Sequence, residues 1–175
     1  MTEPITLEEA KNQCKVDTVD DDTLITNLIS TAREIAEHET GQVFITRTIE
    51  LIYDSAGESI EIPYRPLAEV TKIEVISDAG VKSEVSDTLY NVDLAGPVNP
   101  GRIRLKMGCT WPEHRDFASF IITIKAGYGE TAASVPPKIK QAILEIIGHL
   151  YDNRESQEIP AGAKEKLSGY RLYTV

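Results

Sequence analysis

The chain has 175 residues, 41% hydrophobic and 26% charged, which suits one globular domain with a real core. No apolar run approaches the ~20 residues of a membrane span. Its 18 Lys and Arg against 28 Asp and Glu leave a net charge of −10, which excludes a protein that wraps nucleic acid by neutralising phosphates.

The opening MTEPITLEEAK is acidic and lacks the basic start and apolar centre of a secretory signal, so a protein made and kept in the cytoplasm is expected. Cys14 and Cys109 are the only cysteines and show no metal-ligand spacing, so they read as free thiols acting as small apolar residues. Acid is concentrated at the front. Residues 1–40 carry ten Asp and Glu against Lys11, Lys15 and Arg33, whereas from Arg154 onward the chain is slightly basic.

Thr6 and Glu9 have the spacing of a capping box, and Leu7, Ala10 and Cys14 then share one face of a short helix. The aspartates of DTVDDDT suit the positive end of a second helix. Leu24, Ile25, Leu28, Ile29, Ala32, Ile35 and Ala36 recur at helical spacing until Thr40 and Gly41 supply a stop. Beyond Gly41 the period falls to two. Ile45–Tyr53 predicts a strand, followed after a turn at Ser55, Ala56 and Gly57 by SIEIP. Pro63 and Pro66 mark an edge or a crossing between sheets. EVTKIEVI and VKSEV flank Ser77–Gly80 as a hairpin. LYNVDL, GRIRLK and FIITIK are further strand candidates, the first two separated by the loop AGPVNPG. A helix then begins at Pro136 and Pro137, with Ile139, Ala142, Ile143, Ile146, Ile147 and Leu150 as its apolar stripe, and ends near DNRES. The remaining QEIPAGAKEKLSGYRLYTV has little periodicity and reads as an extended tail.

The fold class is therefore α+β: amino-terminal helices over 6–40, an antiparallel β section over 44–126, a helix over 136–154 and a carboxyl-terminal tail. Residues 1–155 are expected to form one domain, and 156–175 a tail that orders on a partner.

Chemistry-bearing patterns are sparse. GYGETA follows a strand and nominally fits G-x-G-x-x-A, but the helix opens too late to meet a pyrophosphate, and position 147 is an isoleucine where a ribose-binding acid would stand. The glycines read instead as permitting a sharp turn and close backbone packing. His149 follows Glu145 by four residues, one histidine short of a helical zinc site. Asp20, Asp21 and Asp22 lack the alternation of a calcium loop and read as helix capping. No cofactor or metal is expected. Cys109 and His114 could pair as nucleophile and base in a small hydrolase or transferase, although no third group is evident to orient them. Trp111 reads as a packing anchor or a contact residue. Arg102, Arg104 and Lys106 share one strand face, either solvated or in contact with a partner. Tyr170, Arg171, Leu172 and Tyr173 are side chains of the kind that anchor interfaces.

The order LEEAKNQCKVD, DDDTLITNLISTAREIAEHETGQVFITRTIEL, IEIPYRPLAEVTKIEVISDAG and ITIKAGYG…VPPKIKQAILEIIGHLYDNRES resembles the head–tail connector (adaptor, or head-completion) proteins of long-tailed bacteriophages and gene transfer agents. The most specific pieces are Glu39, Thr40 and Gly41 before the first strand, Pro63 to Leu67, Ala126 to Gly129, and the proline-led helix ending in Leu150, Tyr151, Asn153, Arg154 and Glu155. Residues 83–116 match less well.

The resemblance implies a non-enzymatic virion protein of the neck. It implies a ring of about twelve copies that binds the portal after DNA packaging and offers a platform to the next neck or tail-completion protein, with DNA passing through the lumen and no membrane involved. Portal contact would fall on the last helix and the carboxyl-terminal segment: Lys138, Lys140, Asn153 and Arg154, with Tyr170, Arg171, Leu172 and Tyr173 as anchors. An acidic surplus suits a lumen through which DNA must slide. The alternatives are the Cys109/His114 enzyme and a monomeric ligand-binding module.

Overall fold

A capping box starts the first helix. Thr6 Oγ1 accepts from the Glu9 amide at 3.2 Å while the Glu9 carboxylate accepts from the Thr6 amide at 2.8 Å. In this computed structural model, which describes residues 2–97, 99–153 and 158–171, the helices are α1 (Leu7–Cys14), α2 (Asp22–Thr40), α3 (Pro137–Asp152) and α4 (Ala161–Ser168). The strands are β1 (Arg47–Tyr53), β2 (Ser59–Ile62), β3 (Leu67–Ile76), β4 (Lys82–Glu84), β5 (Tyr90–Asp93), β6 (Gly101–Leu105) and β7 (Phe120–Ala126). The α+β class read from the sequence holds, with helices at both ends and antiparallel sheets between them.

The chain divides into two compact units, Met1–Ile45 with Tyr128–Val175, and Thr46–Gly127. The helical unit is built around α3, which packs against α1, α2 and α4. Its buried residues are the expected stripe: Ile139, Ala142, Ile143, Ile146, Ile147 and Leu150. Each of the large ones contributes about 1.5–3 kcal/mol by leaving water. From α2 they meet Ile25, Ile29, Ala32 and Ala36. Gly41 ends α2 at φ 69°, its amide donating to the Glu37 carbonyl at 2.8 Å.

Two expectations for this unit are corrected. Residues 161–168, read as part of an extended tail, form α4, with Ala163 and Leu167 fully buried. An eight-residue helix does not hold alone in water, so tertiary packing, not local periodicity, stabilises it. Pro160 sits at its N-cap, and Lys166 Nζ reaches Glu145 on α3 at 2.7 Å. The boundary expected at 155 is thereby displaced, because residues on both sides of it share one core. The aspartates before α2 also act differently from simple caps. Asp21 occupies the N-cap, but its ψ of 5° is not the extended backbone that folds a side chain back onto the first amides, and no such bond forms. Its carboxylate instead accepts from the Tyr151 hydroxyl at 2.6 Å, while Asp22 pairs with Lys11 at 2.6 Å.

One buried charge cluster ties the front of this unit together. Arg33, 6% exposed, donates to Glu3 and to Glu37, each at 2.9 Å. The other oxygen of Glu37 accepts from the Phe44 amide at 2.8 Å. The guanidinium is thus satisfied where an unpaired charge would be costly.

The β unit has two sheets, ordered β1-β7-β3-β4 and β2-β6-β5. Every expected strand is present, and Pro63–Pro66 carries the chain from one sheet to the other, with a cis bond between Arg65 and Pro66. The hairpin turn at Ser77–Gly80 closes through the Gly80 amide to the Ser77 carbonyl at 2.8 Å, with Gly80 at φ 77°. Ile73, Val75, Phe120, Ile122 and Ile124 line the core side of the larger sheet, and Ile60, Ile62 and Ile103 that of the smaller. The two meet at Gly101, where any Cβ would collide with the Leu67 side chain. Trp111 fastens them further. Its indole donates to the Gly57 carbonyl at 2.8 Å and stands edge-on to Phe120 at 5.4 Å and tilted beside Tyr90 at 6.4 Å.

Candidate interaction surfaces

The stretch GYGETA is a joint. Gly127 and Gly129 lie at φ 138° and 158°, and a Cβ on Gly129 would collide with Ser134. A 3-10 turn at Ala132–Ser134 and Pro136 intervene before α3 begins. The helix thus opens ten residues after Gly127, too late for its first amides to meet a phosphate held by the motif.

Tyr128 within this joint locks the carboxyl-terminal segment to α2. Its hydroxyl donates to Gln42 Oε1 at 2.5 Å, and Gln42 Nε2 donates to the Tyr170 carbonyl at 3.0 Å. Burial, with Tyr170 nearby, pushes the Tyr128 phenol up to about 12. Arg171 then reaches Glu39 at 3.4 Å. Tyr170 and Arg171 are therefore held against the end of α2, and sequence reasoning missed the residue that holds them, Gln42. Its signal lies in contacts 86 and 128 positions away in sequence, beyond any local pattern.

The other residues expected at a partner surface are divided. Lys138 is exposed in the first turn of α3 and makes no ion pair among the described residues. A cation there opposes the positive helix end, a cost of about 0.3–1 kcal/mol that its own fold does not offset. Lys140 is engaged with Glu9 at 2.8 Å, the contact that chiefly holds the Glu9 carboxyl below its usual range. Asn153 caps the far end of α3, donating to the His149 carbonyl at 3.1 Å. Lys138 and Asn153 are separated by about 22 Å of helix at 1.5 Å per residue. Arg154, Leu172 and Tyr173 lie outside the described residues.

A second surface is the outer face of the β2-β6-β5 sheet, where register sets two polar rows. Arg102 pairs across the strands with Glu61 and Asp93, and Arg104 with Ser59 and Asn91. Asp93 accepts from Arg102 at 2.9 Å, which together with the Ala95 amide lowers its pKa. Arg104 has only neutral polar neighbours in its row, and no carboxylate pairs with it among the described residues. Open grooves of about 490 and 590 Å³ flank it, the second reaching Met107 and Cys109. Met107 is wholly exposed.

The Cys109/His114 alternative finds no catalytic geometry. His114 Nδ1 lies 2.7 Å from the Pro112 carbonyl, and its ring stands edge-on to Phe120 at 4.7 Å. Both contacts are structural, and of the two readings of Trp111 the packing anchor fits its place against Phe120.

The model of the family described as phage gp6-like head-tail connector protein matches residues 4–94. The chain belongs to this family. It is a connector protein of the structural kind, and its family is not one of enzymes. Among curated proteins, none matches the chain. Its fold is similar to that of a chain from the neck of an empty gene transfer agent particle, computed with C6 symmetry, at 21% identity and a TM-score of 0.82, covering 98% of this connector and 91% of that chain. A chain from the virion of a native gene transfer agent particle gives 20% identity, a TM-score of 0.82 and the same coverage. One from the neck of a native gene transfer agent particle, computed with C12 symmetry, gives 21%, 0.77, and 97% and 89% of the two chains.

Proposed function

We propose that this connector forms a ring of twelve copies in the virion neck, docks on the portal after DNA packaging, and presents its far side to the next neck or tail-completion protein. The observation that carries this reading is a fold likeness spanning 98% of the chain to a protein of a particle neck, combined with the family match. The net charge of −10 supports a lumen that DNA traverses without sticking, because like charges repel. The uncompensated Lys138 and the segment from Tyr170 onward are the proposed portal contacts. Head-to-tail closure requires two different complementary faces on each copy.

The test is attachment of the full-length chain to portal-bearing heads, compared with a chain lacking residues 169–175. The truncated chain should remain folded, because Ala163 and Leu167 stay in the core, yet attach poorly. Normal attachment would overturn the role given to the tail.

A further inference from the structure

We infer that the Arg104 groove receives the acidic loop at residues 17–20 of a neighbouring copy. This rests on the ring reading above and deepens it by naming one pair of complementary faces. Arg104 is exposed on β6 between Ser59 and Asn91, groups able to hydrogen-bond an incoming carboxylate but not to neutralise the guanidinium. One row away, Arg102 is already neutralised by Asp93. Glu58 also lines the groove but pairs with neither Arg104 nor Lys106 among the described residues, so these two cations remain open to an incoming carboxylate, and the exposed Met107 adds an apolar contact at the groove's end.

The loop offers the complement. Asp17 and Asp20 are exposed and make no ion pair among the described residues, and Val19 between them is 74% exposed. Lys11 braces the loop from behind, donating to the Thr18 carbonyl at 2.7 Å and to Asp22 at 2.6 Å, so its shape is set before contact. An apolar tip between two carboxylates thus matches a guanidinium beside an exposed methionine. Within one interface such charge pairing fixes register and rejects wrong partners.

The experiment uses particles assembled with the full-length chain. Arg104→Glu, and separately Asp17→Arg with Asp20→Arg, should each lower incorporation into necks by roughly tenfold or more, and combining all three substitutions should restore it. Arg104 makes no ion pair among the described residues of its own chain, so circular dichroism of the variant should match the parent, and Arg104→Gln gives a milder version of the same loss. An independent readout is Asp20→Cys, which under oxidation should link copies into a ladder through native Cys109 and fail to do so with Cys109→Ser. Wild-type rings together with normal incorporation of Arg104→Glu would overturn this pairing while leaving the ring reading intact. Loss without recovery in the triple variant would assign Arg104 to a different occupant and overturn it as well. Particles with the chain present but no ring would overturn the ring reading itself.

Discussion

Gln42, 3% exposed, donates its side-chain amide to the backbone carbonyl of Tyr170 at 3.0 Å. A residue just after α2 therefore fixes the point from which the carboxyl-terminal end departs. Removing it should be felt twice, because Tyr128 also loses its acceptor. Gln42→Ala is expected to cost about 1–3 kcal/mol in denaturant unfolding. It should also raise hydrogen exchange in α4. An unchanged exchange rate there would mean that α4 docks without the amide.

Tyr128 gives an alkaline signature. Its folded value, about 12, stands above that of a free phenol. A raised pKa means that the neutral phenol stabilises the fold below the unfolded value, and that this stability is lost as pH rises through the folded value. Absorbance titration of tyrosinate should show a late step near 12 that Tyr128→Phe removes.

The Glu9–Lys140 pair has the opposite sign. Glu9 is lowered, first by its bond to Lys140 and then by the Thr6 amide. Its contribution is full above the unfolded glutamate value and lost as pH falls through the folded one. Glu9→Gln should therefore destabilise slightly at neutral pH, by less than about 1 kcal/mol for so exposed a pair, and match the parent in acid. Thermal melts across that window provide the check.

Lys138 should trade stability against function. Lys138→Glu removes a cation from the positive end of α3 and should stabilise the helix by about 0.3–1 kcal/mol. The same change should weaken attachment to portal-bearing heads. A variant that is both more stable and fully attached would remove Lys138 from the interface.

Trp111, the single tryptophan, reports on the β unit through its contacts to Gly57 and Phe120. Gly101→Ala forces a Cβ into Leu67 and should lower the fluorescence-detected unfolding free energy by about 1–3 kcal/mol. Gly57→Ala, with nothing within 4 Å of the new atom, should be close to neutral.

Much of this architecture was legible in the sequence because it is local. Alternation gave the strands, and the spacing of Ile139, Ile143, Ile146 and Leu150 gave the face of α3. Thr6 with Glu9 gave the first cap. What escaped depends on distant partners. The α4 segment is mostly small or charged, and its Ala163, Leu167 and Tyr170 at steps of four and three become persuasive only beside α2 and α3. Arg33 meets Glu3 across 30 positions, and no spacing rule joins them. The difference between Arg102 and Arg104 is likewise set by β2 and β5, which supply carboxylates to one and neutral groups to the other. A strand read alone shows two equivalent arginines on one face.

If this connector acts by assembling into a ring, as proposed, a cryo-EM reconstruction of the particle neck containing it should show a closed ring of twelve copies seated on the portal, with the segment beyond Tyr170 ordered against it. Particles whose necks lack the chain, or hold it as isolated copies with no ring, would refute assembly as its mode of action.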